Sequence, residues 1–283
     1  MIFIVFWHKN NYERKNVYMK MTFPKSVKTG EIVYLKTSAS AVFAGDGLTV
    51  EEHLSRLHNA VSDHINLLEL NLGVMGDGIA IGSNGSGGTI AQENTYTGLL
   101  GKHFKTYKNY SAGSVSIATV GNIKGITELF VNMDDNLDII IFAGTTNDWF
   151  KTVPLGTIAD TSITTYYGAL HNLILGAQTK FAGKEIFITT PLPCCGFNAD
   201  GSYASNTDHE NGLGYTLKDY VEVLKEVCEF HAVPVIDLYS TSNMNVIHNA
   251  AQRDIFTFNG THLRERGHQR VYRRIFNEIL TRL

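Results

Sequence analysis

The sequence predicts a three-layer α/β/α sandwich around a five-stranded parallel sheet, preceded by a short segment of β-strand and helix. Two patterns predict it. From residue 71 onward, short apolar runs of the kind buried on both faces of a parallel sheet alternate with longer stretches of helical period. The motifs that carry chemistry fall at the ends of those runs, which is where open α/β sheets place their ligands.

The strands are expected at 70–77 ("LNLGVMGD"), 107–113 ("YKNYSAG"), 137–144 ("LDIIIFAG"), 184–192 ("KEIFITTPL") and 233–240 ("VPVIDLYS"). Helical stretches at 93–104, 163–181, 216–232 and a basic C-terminal 264–283 separate and follow them. Ahead of this domain, residues 31–43 have the β-branched and aromatic content of one or two short strands, and "AGDGLT" is turn chemistry. A helix then starts at Thr49, with Glu51 and Glu52 in its first turn. Leu54, Leu57, Val61, His64 and Leu68 recur along it at spacings of three and four, the a/d seam of a coiled coil. An amphipathic helix packed on its own domain has the same pattern. The expected division is therefore 1–70, an attachment or oligomerisation segment, and 71–283, the α/β domain. A homo-oligomer is expected through that seam.

Composition bounds the partners. The 283 residues carry a formal net charge of −3, with 43% hydrophobic and 18% charged residues, ordinary values for a globular chain. With no basic stripe there is no electrostatic reason to expect nucleic acid or an anionic membrane, so a neutral or weakly charged ligand is expected. Cys194, Cys195 and Cys228 have neither disulfide nor zinc-ligand spacing and are read as plain thiols. No metal and no cofactor are expected. The opening "MIFIVFWHKNN" lacks the basic segment and cleavage site of a signal peptide and is too short to span a bilayer. Met19 and Met21 offer alternative starts, and residues 1–18 are read as a tail without a function.

The chemistry begins at "VMGDGIAIGSNG", residues 74–85, a buried strand running into a glycine-rich turn where many α/β hydrolytic enzymes carry a serine nucleophile. Here that position is Gly78. "MGDGIAIG" resembles the first block of the SGNH (GDSL-type) esterases, "FAGTTNDW" (142–149) their third and "FNGTHLRERGH" (258–268) their fifth, in order and at plausible spacing. "YKNYSAGS" is similar to the second block. The resemblance covers 71–283 and implies an acyl-ester hydrolase fold. It places Asn147 and Gly113 as oxyanion-hole positions, with Ser114 as the alternative to Gly113, and His262 as the catalytic base. Asp77, Asp148 and Trp149 are expected to contact the ligand.

The departures fall on the triad. Gly78 stands at the nucleophile position and Asn259 at the position of the orienting aspartate, three before the histidine. Glycine has no atom that can attack, and an amide can hydrogen-bond an imidazole but cannot stabilise an imidazolium by charge. Ser83, Ser86 and Ser114 are candidate replacement nucleophiles. The run "GIAIGSNGSGGT" lacks the endings of a phosphate-binding loop and reads as a surface loop. A second loop, 193–214, carries Phe197, Tyr203, Asp208 and His209 and is a candidate wall of the same pocket or a plain connection.

The layout of a β segment, a turn into a helix and an SGNH domain looks like that of bacteriophage tail-fibre or baseplate proteins. That looser resemblance implies assembly in the host cytoplasm into a virion, with a surface glycan or small ester as ligand and other tail proteins as partners. The expected function is an SGNH-fold module that has lost ester hydrolysis and binds glycan or serves structurally. The alternative is an active carbohydrate or acyl esterase using a different serine.

Overall fold

A computed structural model of the protein describes residues 66–195 and 209–283. The N-terminal strands, the helix from Thr49 with its seam up to His64, and Phe197, Tyr203 and Asp208 lie outside the described residues. The end of that expected helix is described and differs: Leu67–Glu69 is a 3₁₀ turn whose entry is capped by Asn66, and Leu68 is exposed. Leu70 is already extended there, because the chain is turning into the first strand.

The strands are β1 (Asn71–Met75), β2 (Thr106–Asn109), β3 (Ile139–Ala143), β4 (Glu185–Thr189) and β5 (Val235–Ile236). They form a single five-stranded sheet in the order β2-β1-β3-β4-β5, with every pairing parallel. This is the doubly wound order whose crevice opens where the winding reverses, between β1 and β3. The helices are α1 (Tyr96–Gly101), α2 (Ile126–Leu129), α3 (Asn147–Phe150), α4 (Tyr166–Lys180), α5 (Leu217–Phe230), α6 (Leu238–Thr241), α7 (Ala250–Phe256) and α8 (Glu265–Arg282).

Every residue of β3 is buried, as a central parallel strand requires. Its alternation splits the core. Ile139 and Ile141 join Leu72, Val74, Phe187 and Ile236 beneath α1 and α8. Ile140 and Phe142 join Met75, Ile186 and Ile188 beneath α2, α4 and α5. Helix α8 contributes Val271, Ile275 and Ile279, spaced by four, and keeps its arginines outside. The long helices begin on threonine caps, Thr165 for α4 and Thr216 for α5, the latter a reciprocal capping box with Asp219. The three cysteines are buried, and none of them forms a disulfide with another.

The strands are shorter than the apolar runs because side chains claim the backbone at their ends. The Asn109 carboxamide accepts the Ser111 N–H and ends β2, so 110–113 is loop. The Asp237 carboxylate accepts the Ser240 N–H, and the expected strand 233–240 becomes β5 followed by α6. Helices α2, α3, α6 and α7 were not expected; each is seven residues or fewer, too short to declare a 3.6-residue period.

Ile141 is fully buried in the middle of the central strand. Ile141→Ala is expected to lower unfolding free energy by about 2–5 kcal/mol, read as a lower urea midpoint at an unchanged denaturant slope.

Candidate active site

The site is built where β1 and β3 end. Gly76 must be glycine, since a β-carbon there would stand 2.7 Å from the Ala143 Cβ on the neighbouring strand. The chain then turns on Asp77, whose Oδ1 accepts the Ile79 N–H at 2.9 Å. Asp77 is buried, and desolvation, reinforced by the charge of Asp148, pushes its pKa up to about 6.

Gly78 follows, buried and without a left-handed backbone. A β-carbon at Gly78 would lie 3.5 Å from the Ser83 Cβ, 4.0 Å from the Gly113 Cα and 4.0 Å from His262 Nε2. These are ordinary contact distances. The side of residue 78 that a serine would use therefore has room, and it faces the imidazole.

His262 is delivered by a tight hairpin. Thr257 bridges Leu263 in antiparallel fashion, the Phe258 N–H donates to the His262 carbonyl at 2.8 Å, and Gly260 takes the left-handed turn at φ +75°. Inside that turn Asn259 Oδ1 accepts the His262 N–H at 2.9 Å and the Thr261 N–H at 3.3 Å. The same oxygen lies 3.2 Å from His262 Nδ1. An oxygen that accepts two backbone donors is an acceptor for the ring as well, so Nδ1 carries the hydrogen and Nε2 presents its lone pair towards Gly78. Burial lowers the His262 pKa.

Asn147 is the first residue of α3 rather than a residue of a plain turn. Its amide donates to the Val115 carbonyl at 2.8 Å and to Asp77 Oδ2 at 3.2 Å. Asn147 thus ties the end of β1 to the 113–118 loop. Among the described residues the N–H groups of Gly78 and Gly113 have no acceptor, and they are the donors open to an oxyanion. Of the two alternatives in the second block, Gly113 borders Gly78, while Ser114 is a left-handed, exposed residue whose carbonyl accepts Lys151 Nζ.

Two of the expected ligand contacts are scaffold instead. Asp148 is fully buried: its carboxylate accepts the Ile117 and Ala118 N–H groups at 2.8 and 2.9 Å and the Thr145 hydroxyl at 2.8 Å. It holds the 115–118 loop, and burial raises its pKa to about 6 against those hydrogen bonds. Trp149 is buried too, with its indole N–H donating to the Tyr215 carbonyl at 3.0 Å. It also lines a cavity of about 270 Å³ together with Phe150, His209 and Glu210.

The glycine loop is packed onto the site. Asn84 Oδ1 accepts the Ser86 and Gly88 N–H groups, and Ser83 Oγ accepts that of Gly85 at 3.2 Å. A β-carbon on Gly85, at φ +78°, would meet both Asn259 Nδ2 and His262 Nδ1 at 2.6 Å. Sequence reading missed this contact; its signal was the glycine itself, where the loop backbone meets the ring. Among the described residues no group of three or more His, Cys, Asp or Glu side chains lies close enough to hold a metal ion, and no helix is long and apolar enough to cross a membrane.

The model of the GDSL-like lipase/acylhydrolase family matches residues 74–270, which spans the ends of β1 and β3 and the His262 hairpin. The chain belongs to that family. One solved structure that is 26% identical superposes with a TM-score of 0.69, covering 77% of this chain and 99% of its own. A protein from Lactobacillus plantarum is 23% identical at a TM-score of 0.66, covering 78% and 100%. A possible lipase from Chitinophaga pinensis is 17% identical at a TM-score of 0.55, covering 75% and 99%. No curated protein matches the chain. At the sheet's switch point this GDSL-like domain brings together the His262 ring, Gly78 and the unpaired backbone N–H groups of Gly78 and Gly113.

The His262 imidazole is expected to titrate below the usual histidine value in an NMR pH series. Asn259→Asp is expected to raise it by about one to three pH units, since a carboxylate favours the imidazolium. Gly85→Ala is expected to cost about 1–3 kcal/mol in thermal unfolding from left-handed strain and to displace the loop from the ring, seen as a shift of the His262 resonances.

Proposed function

We propose that this GDSL-like domain no longer hydrolyses esters through a serine acyl-enzyme and serves as a glycan-binding or structural module of a bacteriophage tail or baseplate. The observation that carries the reading is Gly78 directly opposite His262 Nε2, with Asn259 in place of a carboxylate behind the ring. A pocket that keeps its base and backbone donors but has no hydroxyl at the attack position retains the shape to hold an ester or acylated sugar. The tail assignment rests on the layout of residues 1–70 and carries with it a homo-oligomer, other tail proteins as partners and a location in the virion.

A second reading has one observation in its favour. The Ser83 Cβ is 3.5 Å from where a Gly78 Cβ would stand, so a hydroxyl borders the attack position from the neighbouring loop. On that reading the domain is an active carbohydrate or acyl esterase.

The test compares hydrolysis of an acetyl ester by the native chain and by a Gly78→Ser, Asn259→Asp double variant, alongside a glycan array. The double variant is expected to exceed the native chain at least about a hundredfold, and the array to return an acylated surface glycan. A native rate equal to that of the double variant would overturn the proposal in favour of the second reading.

A further inference from the structure

We infer that the space beside Gly78 holds a water molecule which His262 activates, making the site a slow single-displacement esterase with no covalent intermediate. The inference rests on the reading of the pocket as an acyl-ester site and adds the chemistry that remains in it.

The argument is geometric. A hydroxymethyl side chain is missing from residue 78, and the nearest atoms to its first carbon are ordinary contacts at 3.5 to 4.0 Å, so nothing has moved in to fill the place. All three residues bordering that place, Ser83, Gly113 and His262, bring polar groups. His262 Nε2 has its lone pair directed there, because Nδ1–H is held by Asn259 Oδ1 at 3.2 Å. The N–H groups of Gly78 itself and of Gly113 have no acceptor among the described residues. A site with an acceptor and free donors around a water-sized space meets the requirements for an ordered water. Gly113 is exposed, so the place is open to substrate from that side.

His262 is suited to act on that water. Burial holds its pKa below the usual value, so the ring is neutral at pH 7 and free to accept a proton. Asn259 fixes the tautomer without needing charge. The water oxygen attacks the ester carbonyl carbon and forms the new C–O bond while its proton passes to Nε2. The carbonyl electron pair moves to oxygen, where the Gly78 and Gly113 N–H groups receive it. Collapse breaks the bond to the alkoxy oxygen, which takes the proton back from Nε2. Acid and alcohol leave, and the ring is neutral again. An amide behind the imidazole stabilises the transient imidazolium less than a carboxylate does, which makes this turnover slow.

Gly78→Ala is the decisive variant. Its methyl makes only ordinary contacts and needs no left-handed backbone, so the fold is retained. The methyl carbon, 4.0 Å from Nε2, takes the place beside residue 78 and pushes a water there out of line with the ring. With p-nitrophenyl acetate and the full chain, hydrolysis is expected above the His262→Ala background. Gly78→Ala and His262→Ala are each expected to lower it at least about tenfold. The progress curve is expected to show no burst, and quenched samples no acylated peptide by mass spectrometry.

A burst with an acetyl group on Ser83 would overturn the inference, as would a Gly78→Ala variant as fast as the native chain. Native hydrolysis no faster than His262→Ala would also overturn it. In that last case the Gly78→Ser, Asn259→Asp variant separates the two claims. If it turns over, the pocket is an ester site and only the water step fails; if it is inert, the ester-site reading fails as well.

Discussion

The amide of Asn147, shared between the Asp77 carboxylate and the Val115 carbonyl, is the interaction on which the site depends. It spans the switch point of the sheet, joining Asp77, just past the end of β1, to the loop following β2 from the first turn after β3. Hydrogen bonds to a buried charged group are worth roughly 1.5–3 kcal/mol, and leaving such a group unpaired costs more. Asp148, one residue further, ties the same loop through its backbone N–H groups. Gly113 is held beside Gly78 because the Ala112 N–H donates to the Gly76 carbonyl on one side of it, while Val115, Ile117 and Ala118 are tied by Asn147 and Asp148 on the other. Two buried carboxylates with raised pKa values are the cost of that rigidity: their folded-state protons are bound more tightly than in the unfolded chain, so their contribution to stability is greatest at low pH and declines as pH rises through about 6.

On the other side of the site the arrangement is local. Asn259 and His262 belong to one turn, and the asparagine oxygen collects two backbone donors before it meets the ring. That ordering explains how an amide can orient an imidazole without supplying charge. An aspartate would fix the same tautomer and also hold a proton on Nε2 more readily. With asparagine beside it and the ring buried, protonation of the imidazole is disfavoured and Nε2 faces the space at residue 78. The glycine loop completes the wall, since only a residue without a side chain can lie against both members of the dyad at Gly85.

Much of this was legible in the sequence, for reasons that differ by element. β3 and α8 announced themselves because burial on two faces and burial on one stripe leave different periods in the chain. β5 was overread because the apolar run 233–240 continues past the point where the Asp237 cap turns it into helix. Asp148 and Trp149 were read as ligand contacts because polar and aromatic residues beside a motif look the same whether they face solvent or the loop behind them. Gly85 was legible only as a loop residue, because its partner ring lies 177 positions away in the chain.

By itself the sequence determined the layered parallel fold, the places of Gly78 and Asn147 at strand ends and that of His262 in a motif just ahead of the C-terminal helix, because apolar period and short motifs are local properties of the chain. The tertiary structure decided which donors are free and which are spent. Asn147 reaches across 70 residues to Asp77, and Ile117 across 31 to Asp148. A hydrogen bond exists or does not within a few tenths of an ångström, and that distance is set by the packing of strands and loops far apart in the chain.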